Sequence, residues 1–278
     1  MNIFFVCGAP KSGTTWLQRV LDAHPEVCCS GEGHFIDRFS RPVAEVVRAF
    51  NRDLEMETDQ VYEGQACYAP VDQAEFDAVV RGFILARLTA RATPGVRWVG
   101  DKTPRYTHQL EPLDRLFPAA KFIHIVRDPR DVAVSRMGHS QRIGIPDVFR
   151  PGSAQHREAV SAAIAGWNEA VSQVCAFADA HPGRVHELRY RDLHADPISE
   201  CEKLFGFLGA STEPVLLRQV AAATSFEALT GRKPGEEDPT SFFRKGVSGD
   251  WKTRLDSETA RMIAESCGEM MRAKRFVA

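Results

Sequence analysis

The stretch Val6-Cys7-Gly8-Ala9-Pro10-Lys11-Ser12-Gly13-Thr14-Thr15-Trp16 crowds two glycines, a lysine and three hydroxyls into one short loop. The apolar run Ile3-Phe4-Phe5-Val6 feeds it, and Leu17, Val20 and Leu21 follow at helical spacing. A buried strand, a glycine-bearing loop and a helix, in that order, aim backbone N–H groups and the positive end of a helix dipole at one point. Such a point favours an anion, phosphate above all. The glycines alone would equally serve a tight turn; the lysine and the hydroxyls argue for a ligand.

The spacing is close to the nucleoside triphosphatase loop G-x-x-x-x-G-K-[ST], with Gly8 and Gly13 in register. Thr14, however, stands where that motif requires lysine. Lys11 lies inside the loop instead and would approach a ligand from another side. A second cationic segment, Arg127-Asp128-Pro129-Arg130-Asp131-Val132-Ala133-Val134-Ser135, follows the apolar run Lys121 to Val126. An arginine just past the C-terminal end of a parallel strand is well placed for a ligand, because open α/β sheets bind there.

These loops need elements to hold them. Residues 2–7 read as a buried strand and Thr14 to Ala23 as a helix. Glu26-Val27-Cys28-Cys29 reads as a second strand ending at the loop Ser30-Gly31-Glu32-Gly33. Gln73 to Ala92 is predicted helical, with Phe76, Val79, Val80, Phe83, Ile84 and Leu88 on one apolar face. Val96 to Gly100 is predicted as a strand leading into Asp101-Lys102-Thr103-Pro104. Lys121 to Val126 is the clearest strand, followed by a loop and a helix through Val132, Val134 and Met137. A long helix is predicted over residues 157–180 and a short strand over 185–188. The segment 231–250, rich in Gly, Pro and charge, reads as a long loop. Strands alternating with helices predict an α/β fold on a mostly parallel sheet, in one domain spanning 1–278.

Bulk properties narrow the partners. A formal charge of -2, with 44% hydrophobic and 26% charged residues, is ordinary for a soluble globular protein. It gives no reason to expect nucleic acid or an anionic membrane as a partner. Seven cysteines, at 7, 28, 29, 67, 175, 201 and 267, form no CxxC pair and no zinc-type cluster. They read as small buried hydrophobes in a reducing compartment. No window approaches the length needed to span a bilayer, and the opening run is too short for a signal peptide. The expectations are a cytoplasmic protein and no metal.

The segment Pro10-Lys11-Ser12-Gly13-Thr14-Thr15-Trp16-Leu17 resembles the 5′-phosphosulfate-binding loop of sulfotransferases that use 3′-phosphoadenosine 5′-phosphosulfate (PAPS) and release its desulfated product PAP. Arg127 to Ser135 resembles the family's 3′-phosphate segment, Thr224-Ser225-Phe226 its adenine-side motif, and Tyr190-Arg191-Asp192-Leu193 sits where another adenine contact is carried. Arg244-Lys245-Gly246-Val247-Ser248-Gly249-Asp250-Trp251-Lys252 is similar to the closing RKGxxGDWK segment. The resemblance implies a three-layer sandwich of P-loop-like topology. It implies donor binding by Pro10, Lys11, Ser12, Gly13, Thr14, Thr15 and Trp16, with Arg127, Ser135, Arg244, Lys245 and Gly246 at the 3′-phosphate. Tyr190, Thr224 and Phe226 fall beside the base, where Trp16 and Phe226 offer flat aromatic faces.

For chemistry, the resemblance implies sulfuryl transfer to a hydroxyl or amine, with Lys11 neutralising charge on the bridging oxygen. Gly31-Glu32-Gly33-His34-Phe35 resembles the E-x-x-F region of glycan-modifying and bacterial sulfotransferases, whose glutamate is the base. Lys102-Thr103-Pro104-Arg105-Tyr106 fits the segment that supplies their helper lysine. Glu32 is therefore the expected base, His34 the second candidate, and Lys102 the helper. The donor-side segments resemble the cytosolic branch instead, and that branch's dimer motif is not met, with Asp256, Ser257 and Arg261 at its diagnostic positions. The acceptor is left open among small molecules, lipids and glycans, with segments 34–72 and 139–156 and the loop 231–243 expected to frame its pocket and Phe35, Phe39, Phe50, Tyr62, Tyr68 and Phe149 as aromatic residues there. A magnesium-dependent kinase and a non-catalytic nucleotide-binding module are the alternative readings.

Overall fold

A computed structural model describes residues 1–65 and 68–276. Strand β1 (Asn2–Cys7) lies at the centre of a five-stranded parallel sheet of order β2-β3-β1-β4-β5, with β2 at Val27–Gly31, β3 at Trp98–Lys102, β4 at Lys121–Val126 and β5 at Val185–Arg189. The two-residue period of β1 sorts the core. Phe4 and Val6 face one side, packing with Leu17, Val20 and Leu21 of helix α1 (Thr14–Asp22) and with more C-terminal helices. Phe5 and Cys7 face the other, among Val80, Ile84, Leu88, Leu113 and Phe177. With both faces covered, the strand is apolar from Ile3 to Cys7, as parallel sheets require. The result is the expected three-layer α/β sandwich.

The remaining helices are α2 (Arg41–Gln60), α3 (Gln73–Thr89), α4 (Leu110–Leu116), α5 (Pro129–Arg142) and α6 (Ala154–Ala180), followed by α7 (Tyr190–Ala195), α8 (Pro197–Leu208), α9 (Pro214–Ala223) and α10 (Phe226–Thr230). Three short C-terminal helices, α11 (Trp251–Arg254), α12 (Ser257–Ser266) and α13 (Gly268–Ala273), pack partly on α5 and α6 around Trp167, Ile263 and Met271.

Several expectations need correcting. Strand β3 runs on through Asp101 and Lys102, all five residues buried, and β2 continues to Gly31, pairing Ser30 with Asp101 and Gly31 with Lys102. Polar residues end these strands because other side chains satisfy them there. Helix α3 starts where expected, on a capping box of Asp72 and Glu75, but buries only Val80, Ile84 and Leu88. Val79 is 58% exposed and Phe83 39%, because the predicted apolar set spans too wide an arc for one contact. Helix α6 begins three residues before its predicted start. Helix α2 is an addition to the expected elements; Val43, Val46, Val47, Phe50 and Leu54 recur at helical spacing, and Val43, Val47 and Leu54 are half-buried, although no residue of the helix is fully buried. Residues 231–250 contain no helix or strand, as expected of a long loop. Five of the cysteines are buried and unpaired, and Cys175 is half-buried; Cys67 lies outside the described residues.

The order of the strands reverses at β1, whose neighbours β3 and β4 follow it by opposite routes, and the crevice beyond its C-terminal end is where such sheets take ligands. Gly13 caps α1 at φ +101°, and a Cβ there would lie 2.5 Å from Cδ2 of Tyr190. Gly64, at φ +86°, has open space around its own position. Gly64→Ala thus isolates backbone strain, about 1–3 kcal/mol, whereas Gly13→Ala adds a collision with a buried ring. Urea denaturation should show the larger loss for Gly13→Ala; equal losses would contradict the close approach of the loop to Tyr190.

Candidate functional site

A cavity of about 550 Å³ opens at the C-terminal edge of the sheet. Its walls come from segments that follow each strand: Pro10 to Trp16 after β1, Glu32 and His34 after β2, Pro104 and Arg105 after β3, Arg127 after β4 and Tyr190 after β5. Thr224, Phe226, Phe242, Phe243, Arg244, Lys245 and Gly246 close it from the C-terminal third of the chain. The volume lies within the range of small-molecule sites.

At one end stand Lys11, Glu32, His34 and Lys102. Lys102 is buried, and its ammonium donates to Glu32 Oε1 at 2.6 Å and to Thr15 Oγ1 at 3.2 Å. His34 Nε2 lies 3.5 Å from Glu32 Oε2. The Glu32 N–H donates to the Lys102 carbonyl at 2.7 Å, extending the β2–β3 ladder by one rung. Burial pushes the Glu32 carboxyl up, but hydrogen bonds from Lys102 and His34 outweigh it and hold the group below the usual carboxylate range. The group is therefore ionised at neutral pH and half-exposed to the cavity. Lys11 is lowered to about 8, chiefly by burial and then by Arg142 and Arg136, with Glu32 opposing them.

Three residues of this end have left-handed backbones: Lys11 at φ +77°, Glu32 at +49° and His34 at +48°. That conformation costs a non-glycine residue roughly 1–3 kcal/mol, so surrounding contacts must hold it. Asp101 supplies them for the 32–34 turn. Its carboxylate, 1% exposed, accepts the Gly33 N–H at 3.1 and 3.2 Å and the hydroxyls of Thr103 and Tyr106, each at 2.8 Å. Thr103 Oγ1 in turn accepts the His34 N–H at 3.4 Å.

The other end is cationic. Arg127 packs its guanidinium 4.3 Å from the centre of the Tyr190 ring and donates to the Val247 carbonyl at 3.0 Å; the Arg127 carbonyl accepts from Trp167 Nε1 at 2.8 Å. Ser135 and Arg244 line the same wall. Arg244 donates to Glu237 at 2.5 Å and to Asp250, and Lys245 donates to Asp250 at 2.7 Å. Burial pushes Asp250 up, but these donors hold it below the usual carboxylate range. The loop that carries these cations is tied to the sheet by Asp131, which accepts the N–H groups of Gly249 at 2.7 Å and Trp251 at 3.1 Å. Between the two ends Trp16 meets Tyr190 edge-on, 5.3 Å between centroids, and donates to the Thr224 carbonyl at 2.8 Å. Phe226 lies against Gly246 on the opposite wall, and the Thr224 hydroxyl is committed to its own helix through the Val220 carbonyl.

Most of the residues singled out by sequence therefore meet at one cavity. Two do not line it: Ser12 is fully buried, and Lys102 reaches it only through Glu32 and Thr15. The aromatic residues expected to frame an acceptor are elsewhere. Phe35 and Phe39 pack into or against the core under α3, and Phe149 packs on the core of the C-terminal helices. Phe50, Tyr62 and Tyr68 are exposed and outside the cavity lining. Phe242 and Phe243 take that place, on the long loop. Sequence reasoning also passed over Asp101, Asp131 and Asp250 as structural anchors. An aspartate inside the apolar run Trp98-Val99-Gly100 was the one available signal for the first.

If Asp101 sets the 32–34 turn, Asp101→Asn should lower turnover about 10- to 100-fold, because a misplacement of order 1 Å costs that much. Affinity for the nucleotide ligand, measured calorimetrically, should change less than about threefold. Tyr106→Phe, which removes one of three donors, should have a smaller effect. Equal turnover in wild type and Asp101→Asn would show that the turn holds itself.

The family model described as Sulfotransferase family matches residues 4–214. Protein-tyrosine sulfotransferase 2 of Gallus gallus is 28% identical over 238 residues, covering 84% of this chain and 56% of that protein. Thus the chain spans little more than half the length of that relative. Sulfotransferase 1A1 of Canis lupus familiaris is 24% identical over 287 residues, covering 95% of this chain and 84% of the other. A crystal structure of mouse sulfotransferase SULT7A1 complexed with PAP shares the fold, with a TM-score of 0.57 and 20% identity over 98% of this chain and 85% of the other. With its phosphate-type loop, its all-parallel sheet and a family match over most of its length, the chain belongs to the sulfotransferase family.

Proposed function

We propose that residues 1–278 form one sulfotransferase domain that moves a sulfuryl group from PAPS to an acceptor hydroxyl and releases PAP. The observation that carries this reading is the pairing of a base–cation group, Glu32 with Lys102 and Lys11, with a separate arginine-rich wall across one cavity. PAPS supplies an activated sulfuryl group at one end and a second phosphate at the other.

The residues fit such a molecule. Arg127, on the cavity wall, has a buried Nε with no hydrogen-bond partner among the described residues, which a donor's anionic oxygen would satisfy. In this reading Thr14, Thr15 and the N–H groups at the start of α1 hold the 5′-phosphate, and Arg127, Ser135, Arg244, Lys245 and Gly246 hold the 3′-phosphate. Trp16, Tyr190, Thr224 and Phe226 enclose the base. Lys11, fixed inside the loop, neutralises charge that grows on the leaving oxygen. Glu32 takes the acceptor proton. Lys102 holds the basicity of Glu32 down in the structure as it stands; drawn toward added negative charge, it would release that hold and strengthen the base.

Transfer of ³⁵S-labelled sulfate from PAPS to a panel of phenols and alcohols tests the reading. Glu32→Gln should reduce the label transferred by about 10²- to 10⁴-fold while calorimetric PAP affinity stays within about twofold. Unchanged transfer would remove Glu32 as base. PAP binding with no transfer to any acceptor would leave a binding module instead of an enzyme.

A further inference from the structure

Beside Lys11, the structure gathers positive charge that the donor reading does not use. Helix α5 turns Ser135 to the cavity and Gly138 to Arg244, since a Cβ on Gly138 would lie 3.2 Å from Arg244 Cδ. Arg142 follows on that face, seven residues after Ser135 and four after Gly138, and it donates toward His139 Nδ1 at 3.0 Å. Arg136 stands three residues before His139 on the flank of the same face. The Phe242 ring has Lys11 Nζ 5.7 Å and Arg142 Cζ 5.8 Å from its centre. Arg136 and Arg142 both press on Lys11 electrostatically, and all three press on His139. Among the described residues, no carboxylate lies within 4 Å of Lys11, Arg136 or Arg142. Glu32, the carboxylate acting on Lys11, is already bound by Lys102 and His34.

The contrast with the 3′-phosphate wall is informative. There each cation has a carboxylate beside it: Asp131 near Arg127, Glu237 and Asp250 on Arg244, Asp250 on Lys245. Like charges left together without a counter-charge repel, and the arrangement favours whatever anion enters among them. The donor's sulfuryl end accounts for Lys11. It does not account for Arg142, which is exposed and lies 5.8 Å from the centre of Phe242, a ring of the cavity wall.

We propose that the acceptor is an anionic hydroxy compound: an apolar or aromatic body against Phe242, a hydroxyl at Glu32, and a carboxylate, sulfate or phosphate held by Arg142, His139 and Arg136. This rests on the sulfotransferase reading and names the substrate class for that site. The reaction stays balanced as before: the acceptor oxygen gains the sulfuryl group, its proton goes to Glu32, and PAP leaves with the bonding electrons.

A matched pair of probes decides it. Using ³⁵S transfer from PAPS, 4-hydroxyphenylacetate is compared with its methyl ester, which keeps the phenol and removes the charge; a set of hydroxy acids bearing sulfate or phosphate extends the series. The acid should exceed the ester in kcat/KM by about 10-fold or more, mostly through KM. Arg142→Gln combined with Arg136→Gln should bring that ratio to about one while the Kd for PAP stays within about twofold. A parallel loss of PAP affinity would assign the arginines to the donor and overturn the proposal. So would an ester preferred over the acid, or PAP binding with transfer to none of the anionic compounds. Absence of PAP binding would overturn the underlying reading and this inference with it.

Discussion

Buried carboxylates that accept donors from distant segments hold this site together. Asp101 fixes the turn that carries Glu32 and His34, Asp131 fixes the loop after Val247, and Asp250 aims Arg244 and Lys245. All three are nearly inaccessible to water, at 1%, 1% and 4% exposure. Burial raises the Asp101 and Asp131 carboxyls, against the pull of their hydrogen-bond donors. Removing such an acceptor leaves several donors unpaired, each at a cost of about 1–3 kcal/mol. Segments separated by 68 to 120 residues in the chain thus meet at one edge of the sheet because a few carboxylates require them there.

That rigidity lets the site keep features that a looser fold would relax. Left-handed Lys11, Glu32 and His34 are strained locally, and Lys11 is held among like charges. The anchors beneath hold these backbones, and an anionic ligand would relieve the charge around Lys11. The cavity is accordingly asymmetric. One end pairs its cations with carboxylates and waits with its donors oriented; the other carries unmatched positive charge around a half-exposed base.

Much of this was legible in the sequence, and for identifiable reasons. Loops that bind anions follow directly on short apolar strands, so β1 with its loop and β4 with Arg127 stand out. The layer arrangement follows from the alternation of strands and helices. Helix α2 is a miss of a different kind, because Val43, Val46, Val47, Phe50 and Leu54 recur at helical spacing and the period was there to be read. The ends of β2 and β3 were placed too early because Ser30, Asp101 and Lys102 are polar; their partners across the ladder and beyond it could not be seen in one dimension. Aromatic residues misled for a related reason. Phe35 and Phe39 have the same type as Phe242, and only the fold decides that the first two pack on the core side and the last faces the cavity.

The central claim is that one cavity takes a nucleotide with two separate phosphates, and calorimetric titration tests it most directly. PAP, 5′-AMP and ATP with magnesium would each be titrated into the wild-type chain and into Lys11→Ala combined with Arg127→Ala. PAP should bind at least 10-fold tighter than 5′-AMP, ATP–magnesium should give no comparable response, and the double variant should lose PAP binding. Because Lys11 titrates near 8 and binds an anion in its charged form, wild-type PAP affinity should also fall as pH rises from 7 to about 9.5. Equal affinity for PAP and 5′-AMP, or binding of ATP–magnesium in preference to PAP, would contradict it.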